Sequence, residues 1–536
     1  MQYLVTASKM KTCDHNTSEH FGVPSIVLME RAALAVAARI SEWKSAMRTS
    51  RAFNVLIVAG HGGNGGDGIA IGRILHQHGY RVQIALVDDK DSNSDTIMQK
   101  KSAQAYGILM DTFSNVRVTK SQMEWDIIVD AVLGIGCTHD VEGEYAQAIM
   151  YINECKKLKD ESTLVVAVDI PSGIDTDTGS VHKLAVKADM TVTFNFAKMG
   201  QILYPGTEYC GQLFVEDVGI TVDGFMGDLP EYFFFDEGPE DLLPRRLGYG
   251  NKGTFGKVLV IAGNDKVSGA CLLCTKAAFH TGAGMVKVFT TPANIEVIRQ
   301  NVPEAMFDAY ANIETPDNIE KTKSILIENM KWASAIVIGP GLGDGIIAKE
   351  ILKTVLEQYD GFLVADADAL NMMAEDEKLS ELARRYSSSE DKQLVMTPHV
   401  AEFARLYNFA FTKSGSEPVS VYDIKKNILS WPLILSDHYN CVIICKDARS
   451  VVAGPDKKQM YVNISGNSGM ATAGSGDVLA GILGALSARK LGGFQTACIG
   501  TFIHGIAGNR AASGVGEYYM TASDIIKELA NVLPEK

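Results

Sequence analysis

The sequence predicts two α/β domains in tandem, each a parallel sheet wound on both faces by helices, and three observations carry that prediction. Short continuous runs of Val, Ile and Leu alternate with helix-length segments, which is the pattern of strands buried on both faces. The alternation lapses once, around residues 221–244, into Gly, Asp, Pro and Glu, and then restarts. At 536 residues the chain also exceeds the size at which a single core keeps growing.

Taken in order, a helical pattern over 25–43 opens the front half, and apolar runs at 54–59, 81–87, 125–130, 163–169 and 190–194 read as its strands. Helical segments between them give a Rossmann-like three-layer domain over 1–225. Residues 226–244, ending in Asp241-Leu242-Leu243-Pro244 ahead of Arg245 and Arg246, read as the linker. Strands at 257–262, 335–339, 361–366, 393–396 and 441–445 then build a larger α/β domain over 245–536, and no repeat relates the two halves.

Composition is that of a soluble globular protein, 46% hydrophobic and 21% charged. The net charge of -14 argues against nucleic acid or an anionic membrane as partner, because neither attracts such a chain at long range. Nine cysteines lack the spacing of a disulfide framework, so a reducing cytoplasm is the expected compartment. Cys271 and Cys274 form a C-x-x-C on an apolar helical stretch and read as buried thiols, with a metal or redox site as the alternative. Residues 1–9 lack the pattern of an export signal, and no apolar run approaches membrane-spanning length.

Chemistry concentrates in two glycine-rich turns. The first, Gly60-His61-Gly62-Gly63-Asn64-Gly65-Gly66-Asp67-Gly68, follows a strand and opens a helix, so its backbone N–H groups are available to an anion. Its G-x-G-x-x-G spacing matches a dinucleotide fingerprint, with Asp88 and Asp89 at the end of the next strand where a ribose-binding acid would sit; a plain tight turn accounts for it equally. No lysine follows, so it is not a Walker A loop. Two further strand ends bring Asp130, Asp169 and Ser172 beside this turn. Asn, Asp and Ser are hard oxygen donors that suit an alkali or alkaline-earth cation, and helix capping is the competing account of each acid.

These motifs in order, with Phe196-Ala197-Lys198-Met199-Gly200 and Tyr204-Pro205-Gly206 after them, resemble the NAD(P)H-hydrate epimerase domain over about residues 10–220. The resemblance implies that Gly63, Asn64, Gly65, Gly66 and Asp67, together with Gly134, Ile135, Gly136, Cys137, Thr138, His139 and Asp140, contact the substrate. It further implies that Asp169 binds the substrate and serves in catalysis, and that Asn64, Asp130 and Ser172 hold K⁺. One departure is Gly63, which stands where the family often has the first of two asparagines.

The second turn, Ala473-Gly474-Ser475-Gly476-Asp477, also opens a helix, and its small residues let the backbone close around a phosphoryl group. Asp477 is placed to take a proton from a hydroxyl attacking that group; a helix capped by Ser475 is the alternative. His399, between a strand and a helix and ahead of Glu402, reads as facing a ligand, and Lys446 to Ser450 either meet nucleotide phosphates or form a solvated loop.

Asn251-Lys252-Gly253 with Gly256, Ser268-Gly269-Ala270 with 281–284, Gly339-Pro340-Gly341-Leu342-Gly343, Thr397-Pro398-His399 with Glu402, and the second turn make 245–530 similar to the ribokinase-like NAD(P)H-hydrate dehydratases. That resemblance implies that Ala270, Gly341, His399 and Asp477 contact the hydrated nucleotide, and that Lys446, Asp447, Ala448, Arg449, Ser450 and Gly476 contact adenylate. Asp447 replaces a usual glycine, and Val400-Ala401 replace a usual Pro-Gly.

The expected protein is a bifunctional, cytoplasmic homo-oligomer that repairs hydrated NADH and NADPH (NADHX and NADPHX). The front domain would interconvert R and S epimers, and the rear would dehydrate the S epimer with ADP as co-substrate and Mg²⁺ assisting. The rivals are an ATP-dependent dehydratase, a small-molecule kinase with a regulatory front domain, and a non-catalytic scaffold; the retained acids count against the scaffold.

Overall fold

The structure is a computed structural model, which describes the chain apart from residues 48–50, 89, 91, 120–124, 159–161, 237, 239–241, 244, 245, 247, 389–391, 413, 414, 456–458 and 534–536. It divides into two compact units, Gln2–Tyr232 in front and Phe233–Lys536 behind, the latter including Met1.

The front unit is built on a seven-stranded parallel sheet. Across the sheet the strands run Leu109–Thr112, Arg81–Leu86, Asn54–Ala59, Ile127–Ala131, Leu164–Val168, Met190–Phe194 and Gln212–Glu216. Chain order reverses between Asn54–Ala59 and Ile127–Ala131, so the loops leaving those two strands diverge to opposite faces and open a crevice at their carboxyl ends.

Side-chain alternation builds the layers on either side. Val55, Ile57 and Ala59 face the helices Ser25–Ala46 and Gly63–Gln77, whereas Leu56 and Val58 face the helix Gly143–Leu158. Each buried Val, Leu or Ile contributes about 1.5–3 kcal/mol. A β-carbon on Gly68 would lie 2.4 Å from Ala131 Cβ, so glycine is what lets the Gly63–Gln77 helix sit this close to the sheet.

The rear unit repeats the logic with a different end. Its sheet runs Met306–Ala309, Met285–Thr290, Lys257–Ile261, Ala335–Ile338, Phe362–Ala365, Gln393–Met396 and Val442–Cys445 in parallel. Val451–Ala453 and Met460–Val462 continue it antiparallel. The order reverses again, here between Lys257–Ile261 and Ala335–Ile338. The helix Ser475–Ser487 lies against this sheet, with Gly484 so close to Val337 that a β-carbon would stand 2.4 Å from Val337 Cγ2.

Every run expected as a strand is one, with ends shifted by a residue or two. Strands that sequence reasoning missed include Leu109–Thr112, Gln212–Glu216 and Met306–Ala309, which form sheet edges and so lack a continuous apolar run. Phe233 and Phe235 stand in the stretch read as a linker; they pack on Tyr461 of the rear unit with ring centroids 5.6 and 4.8 Å away. Residues 237, 239–241 and 244 of that stretch lie outside the described residues. All nine cysteines, Cys271 and Cys274 among them, are buried and free. Among the described residues no helix is long and apolar enough to cross a membrane.

Candidate active sites

A cavity of about 500 Å³ opens at the front switch point, walled by the first glycine turn and by the segment leaving Ile127–Ala131. His61, Gly62, Gly63, Asn64, Gly65 and Asp67 line it from one side; Gly134, Ile135, Gly136, Cys137 and His139 line it from another. Gly66, Thr138 and Asp140 do not: a β-carbon on Gly66 would meet Thr96 Oγ1 at 2.5 Å, and Asp140 turns to Lys183, 3.5 Å away.

Asp169 enters the same cavity from the end of Leu164–Val168. Its backbone is left-handed, with φ 64°, which a non-glycine residue adopts only where its surroundings hold it there. They do so closely. The fully buried Lys198 ammonium pairs with Asp169 Oδ1, Thr193 Oγ1 donates to the same oxygen at 2.8 Å, and Gln201 Nε2 donates to the Asp169 carbonyl. Asp67 faces this pair with no hydrogen bond to its carboxyl among the described residues. Burial, and then Asp169 and Asp14, push Asp67 well above the usual carboxylate range. Asp14 lines the cavity as well, and burial and Asp169 raise it too.

Beside the cavity, the predicted cation ligands converge on Leu133. Ser172 donates to both oxygens of Asp130, through Oγ at 2.6 Å and through N–H at 2.8 Å. Leu133 N–H donates to Ser172 Oγ at 2.8 Å, and Asn64 Nδ2 donates to Leu133 O at 2.9 Å, while Asn64 Oδ1 accepts no hydrogen bond among the described residues. Asp130 is fully buried with no ion pair among the described residues; burial, opposed by its hydrogen bonds to Ser172 and Val132, pushes it up to about 6. A buried carboxylate among hard oxygens and without a cationic side chain fits a monovalent cation.

Asp88 makes no wall of the cavity; its Oδ2 instead accepts from Tyr145 O–H and stands 3.0 Å from His61 Nδ1. Asp89, the other acid of that pair, lies outside the described residues.

In the rear unit the second turn begins the helix Ser475–Ser487. Gly474 takes the N-cap position with φ 90° and no side chain caps the helix; Ser475 N–H donates to Thr472 O at 3.3 Å, and the next N–H groups of the first turn are left for an anion. Ser475, the alternative cap, makes a 3.3 Å contact with His504 Nε2 instead. Asp477 in the first turn is pushed up to about 7, by burial first and then by Asp366, with Lys446 opposing. Lys446 Nζ sits 2.7 Å from Asp366 Oδ1, which also accepts from Thr397 Oγ1 at 2.5 Å. Burial works against the Lys446 charge, but Asp366 and Glu402 outweigh it and raise the group. Asp366, Glu402 and Asp477 act on Lys446, and Asp366 and Asp368 act on Asp477, so acids outnumber the one lysine here, although among the described residues no three of them stand close enough to hold a metal ion by themselves.

Ala270 and Gly341 are neighbours: a β-carbon on Gly341 would meet Ala270 Cβ at 3.1 Å. His399 is the N-cap of the helix Val400–Phe411, accepting from Ala401 and Glu402 N–H through Nδ1, with its Nε2 3.4 Å from Glu402 Oε1. In the expected adenylate loop, Asp447 pairs with Lys425 at 3.0 Å and Arg449 Nη1 donates to Ile464 O at 3.3 Å, whereas Lys446 N–H donates to Pro398 O at 2.8 Å.

Sequence reasoning missed Asp14, His504 and the partnership of Lys198 with Asp169. Lys198 lay in a quoted motif, which was its only signal. Asp14 and His504 had none, since Asp14 is one of many polar residues in its helix and His504 is a lone histidine in an apolar one. His504 is pushed down to about 4 by burial and by Lys446, so it is neutral behind Ser475.

Residues 258–531 match the sequence profile of the family described as NAD(P)H-hydrate dehydratase, and residues 25–200 match the YjeF-related protein N-terminus. A bifunctional NAD(P)H-hydrate repair enzyme of Moorella thermoacetica is 33% identical over 99% of this chain and 96% of its own length. One of Coxiella burnetii is 32% identical over 95% of each chain. Among solved structures, an ADP/ATP-dependent NAD(P)H-hydrate dehydratase of Bacillus subtilis, co-crystallised with ATP and Mg²⁺, is 24% identical over 54% of this chain and 93% of its own, with a TM-score of 0.44.

Proposed function

The chain belongs to the bifunctional NAD(P)H-hydrate repair enzymes, and from that membership we propose how its two sites divide the work. The front unit epimerises R- and S-hydrates of NADH and NADPH, and the rear unit dehydrates the S form at the expense of ADP. We assign the epimerase to residues 1–225 and the dehydratase to 245–536. The observation that carries this division is that each unit has its own switch-point crevice, its own uncapped glycine turn and its own carboxyl group behind it, Asp169 in one and Asp477 in the other.

The hydrated carbon lies next to the ring nitrogen, so its configuration inverts if one bond at that carbon breaks and re-forms on the other face. Both directions need a proton acceptor and a donor. Asp169, paired with Lys198 and hydrogen-bonded by Thr193, is the acceptor; Asp67, whose burial and carboxylate neighbours favour its protonated form, is the donor. Gly63 to Asp67 and Gly134 to Cys137 enclose the dinucleotide. Asn64, Asp130 and Ser172 would hold K⁺, which supplies fixed positive charge beside the substrate.

In the rear unit, Asp477 takes the proton of the ring hydroxyl as that oxygen bonds to the terminal phosphorus of ADP and AMP leaves. The phosphate ester then departs with its C–O bonding pair as free phosphate, and loss of a proton from the adjacent ring carbon restores the dihydronicotinamide. The N–H groups at Gly474 to Gly476 stabilise the transferred phosphoryl group, and a lost donor of this kind costs about 10²–10³ in rate. Ala270, Gly341 and His399 hold the nicotinamide nucleotide, and Lys446 to Ser450 hold adenylate. Asp368 is the residue that would approach Mg²⁺, whose chemistry is to neutralise phosphate charge.

Nine free, buried thiols suit the cytoplasm, and a homo-oligomer is measured by mass in solution. The test of function is purified protein given mixed NADHX epimers with ADP or with ATP, following recovery of NADH absorbance. Full recovery with ADP and release of phosphate is the expected result. A stable phosphorylated alcohol in place of NADH would overturn the dehydratase assignment; recovery of only one epimer's share would overturn the epimerase assignment.

A further inference from the structure

His61 is the residue at which the first glycine turn carries a side chain able to bear positive charge, and the structure fixes that ring from behind. Its Nδ1 lies 3.0 Å from Asp88 Oδ2 and 2.9 Å from Tyr145 Oη. Tyr145 cannot be the anion here, because burial and Asp88 both push its phenol up, so its O–H donates to Asp88 Oδ2. The acceptors that remain for the ring are the Asp88 carboxylate and the Tyr145 oxygen, which sets the proton on Nδ1 and leaves Nε2 for whatever fills the cavity that His61 lines.

A lysine ammonium lines the same cavity. Two lysines line the cavity: Lys198 is committed to Asp169, whereas Lys11 makes no ion pair among the described residues and its Nζ would lie 3.9 Å from a β-carbon on Gly136. The helix Gly63–Gln77 starts at this corner, with Gly62 at its N-cap and no side-chain cap, so its N–H groups point at the same space. A helix start, an imidazole whose Nε2 is left free by the partners of its Nδ1, and an ammonium without an ion pair among the described residues are three independent features that line one cavity and suit an anion. The group of a dinucleotide that matches them is its diphosphate.

We propose that His61, aimed by Asp88 and Tyr145, forms with Lys11 and the Gly62–Gly63 amides the corner of the front cavity that binds the substrate's diphosphate. This rests on the front unit acting on a hydrated dinucleotide, as proposed above. His61 and Lys11 bind; Asp88 and Tyr145 position.

The test is steady-state epimerisation of R-NADHX by the full-length chain and its His61→Gln, Lys11→Met and Asp88→Asn variants, compared with the hydrate of dihydronicotinamide riboside, which has no phosphate. With NADHX, His61→Gln and Lys11→Met should each raise KM about 10-fold with kcat within 2-fold, a size expected for one charge-assisted hydrogen bond. Asp88→Asn should raise KM less. With the riboside hydrate the variants should match the wild type. An unchanged KM for NADHX in His61→Gln and Lys11→Met would overturn the proposal, and so would an equal loss with the riboside hydrate, which would place His61 in the chemistry or the folding. Dehydration of S-NADHX by each variant at the wild-type rate checks that the chain is intact; if His61→Gln fails that check, Lys11→Met and Tyr145→Phe carry the comparison. Failure of the wild type to interconvert the epimers would count against the epimerase assignment instead.

Discussion

Lys446 Nζ stands 2.7 Å from Asp366 Oδ1 and would lie 3.3 Å from a β-carbon placed on Gly476. The amide turn that opens the rear helix therefore rests against a buried ion pair, and anything that thickens the turn presses on that pair.

Gly476→Ala should accordingly slow dehydration of the S epimer without unfolding the chain. The added methyl is met by the end of a lysine side chain, which yields by a few tenths of an ångström at the expense of its contact with Asp366. Small misplacements at a reacting centre cost up to about 10²-fold in rate. Steady-state NADH recovery in the mutant measures it, with R-to-S conversion as the internal control; an unchanged dehydration rate would show that the turn and the pair are not coupled.

Asp477→Asn should lower dehydration by about 10²–10⁴-fold while epimerisation continues. In the native protein the dehydration rate should rise with pH through about 7, because the carboxyl must be ionised to accept a proton. Stability should move the other way. A carboxyl whose folded pKa exceeds its unfolded value keeps its proton longer in the folded state, so stability is lost as pH rises from about 4 to about 7. Asp477→Asn should therefore melt at a higher temperature than the wild type at pH 8 and show less advantage at pH 4.

Lys198→Met should destabilise the front unit by about 3–5 kcal/mol, because it leaves the largely buried Asp169 carboxyl without its cationic partner. Epimerisation should be lost with it. The double variant Lys198→Met with Asp169→Asn should recover part of that stability, since both charges are then gone. Denaturant melts of the four proteins measure the coupling; additive losses would contradict a buried pair.

Replacing K⁺ in the buffer by choline should slow epimerisation and leave dehydration unaltered, if Asn64, Asp130 and Ser172 hold the ion. Asp130→Asn should abolish that sensitivity as well as lowering the rate, because the fully buried carboxylate is the charged ligand. Equal epimerisation rates in choline and in K⁺ would rule out the cation site.

The two Gly-Asp turns were legible because they are local: each lies in one stretch of chain between an apolar strand and a helix start. That Asn64, Asp130 and Ser172 come together was legible because Asn64 and Ser172 follow strands and Asp130 stands near the end of one, and parallel strands deliver such residues to one end of a sheet. Edge strands such as Leu109–Thr112 were not, since half-exposed chain leaves no continuous apolar run. Thr138 and Asp140 show the limit of carrying a motif over whole, because the segment from Gly134 turns away from the cavity after Cys137 and returns only with His139.

By itself the sequence determined the two doubly wound units, the family, and where the two glycine turns open helices, because hydrophobic period and turn chemistry are written in neighbouring residues. Only the tertiary structure decided the partners that set each group's charge. Lys198 meets Asp169 across 29 residues, Lys446 meets Asp366 across 80, and His61 meets Asp88 and Tyr145 across 27 and 84. Those pairings depend on the order and register of strands in a sheet, and protonation in a buried site follows from what stands within a few ångströms and not from what stands next in the chain.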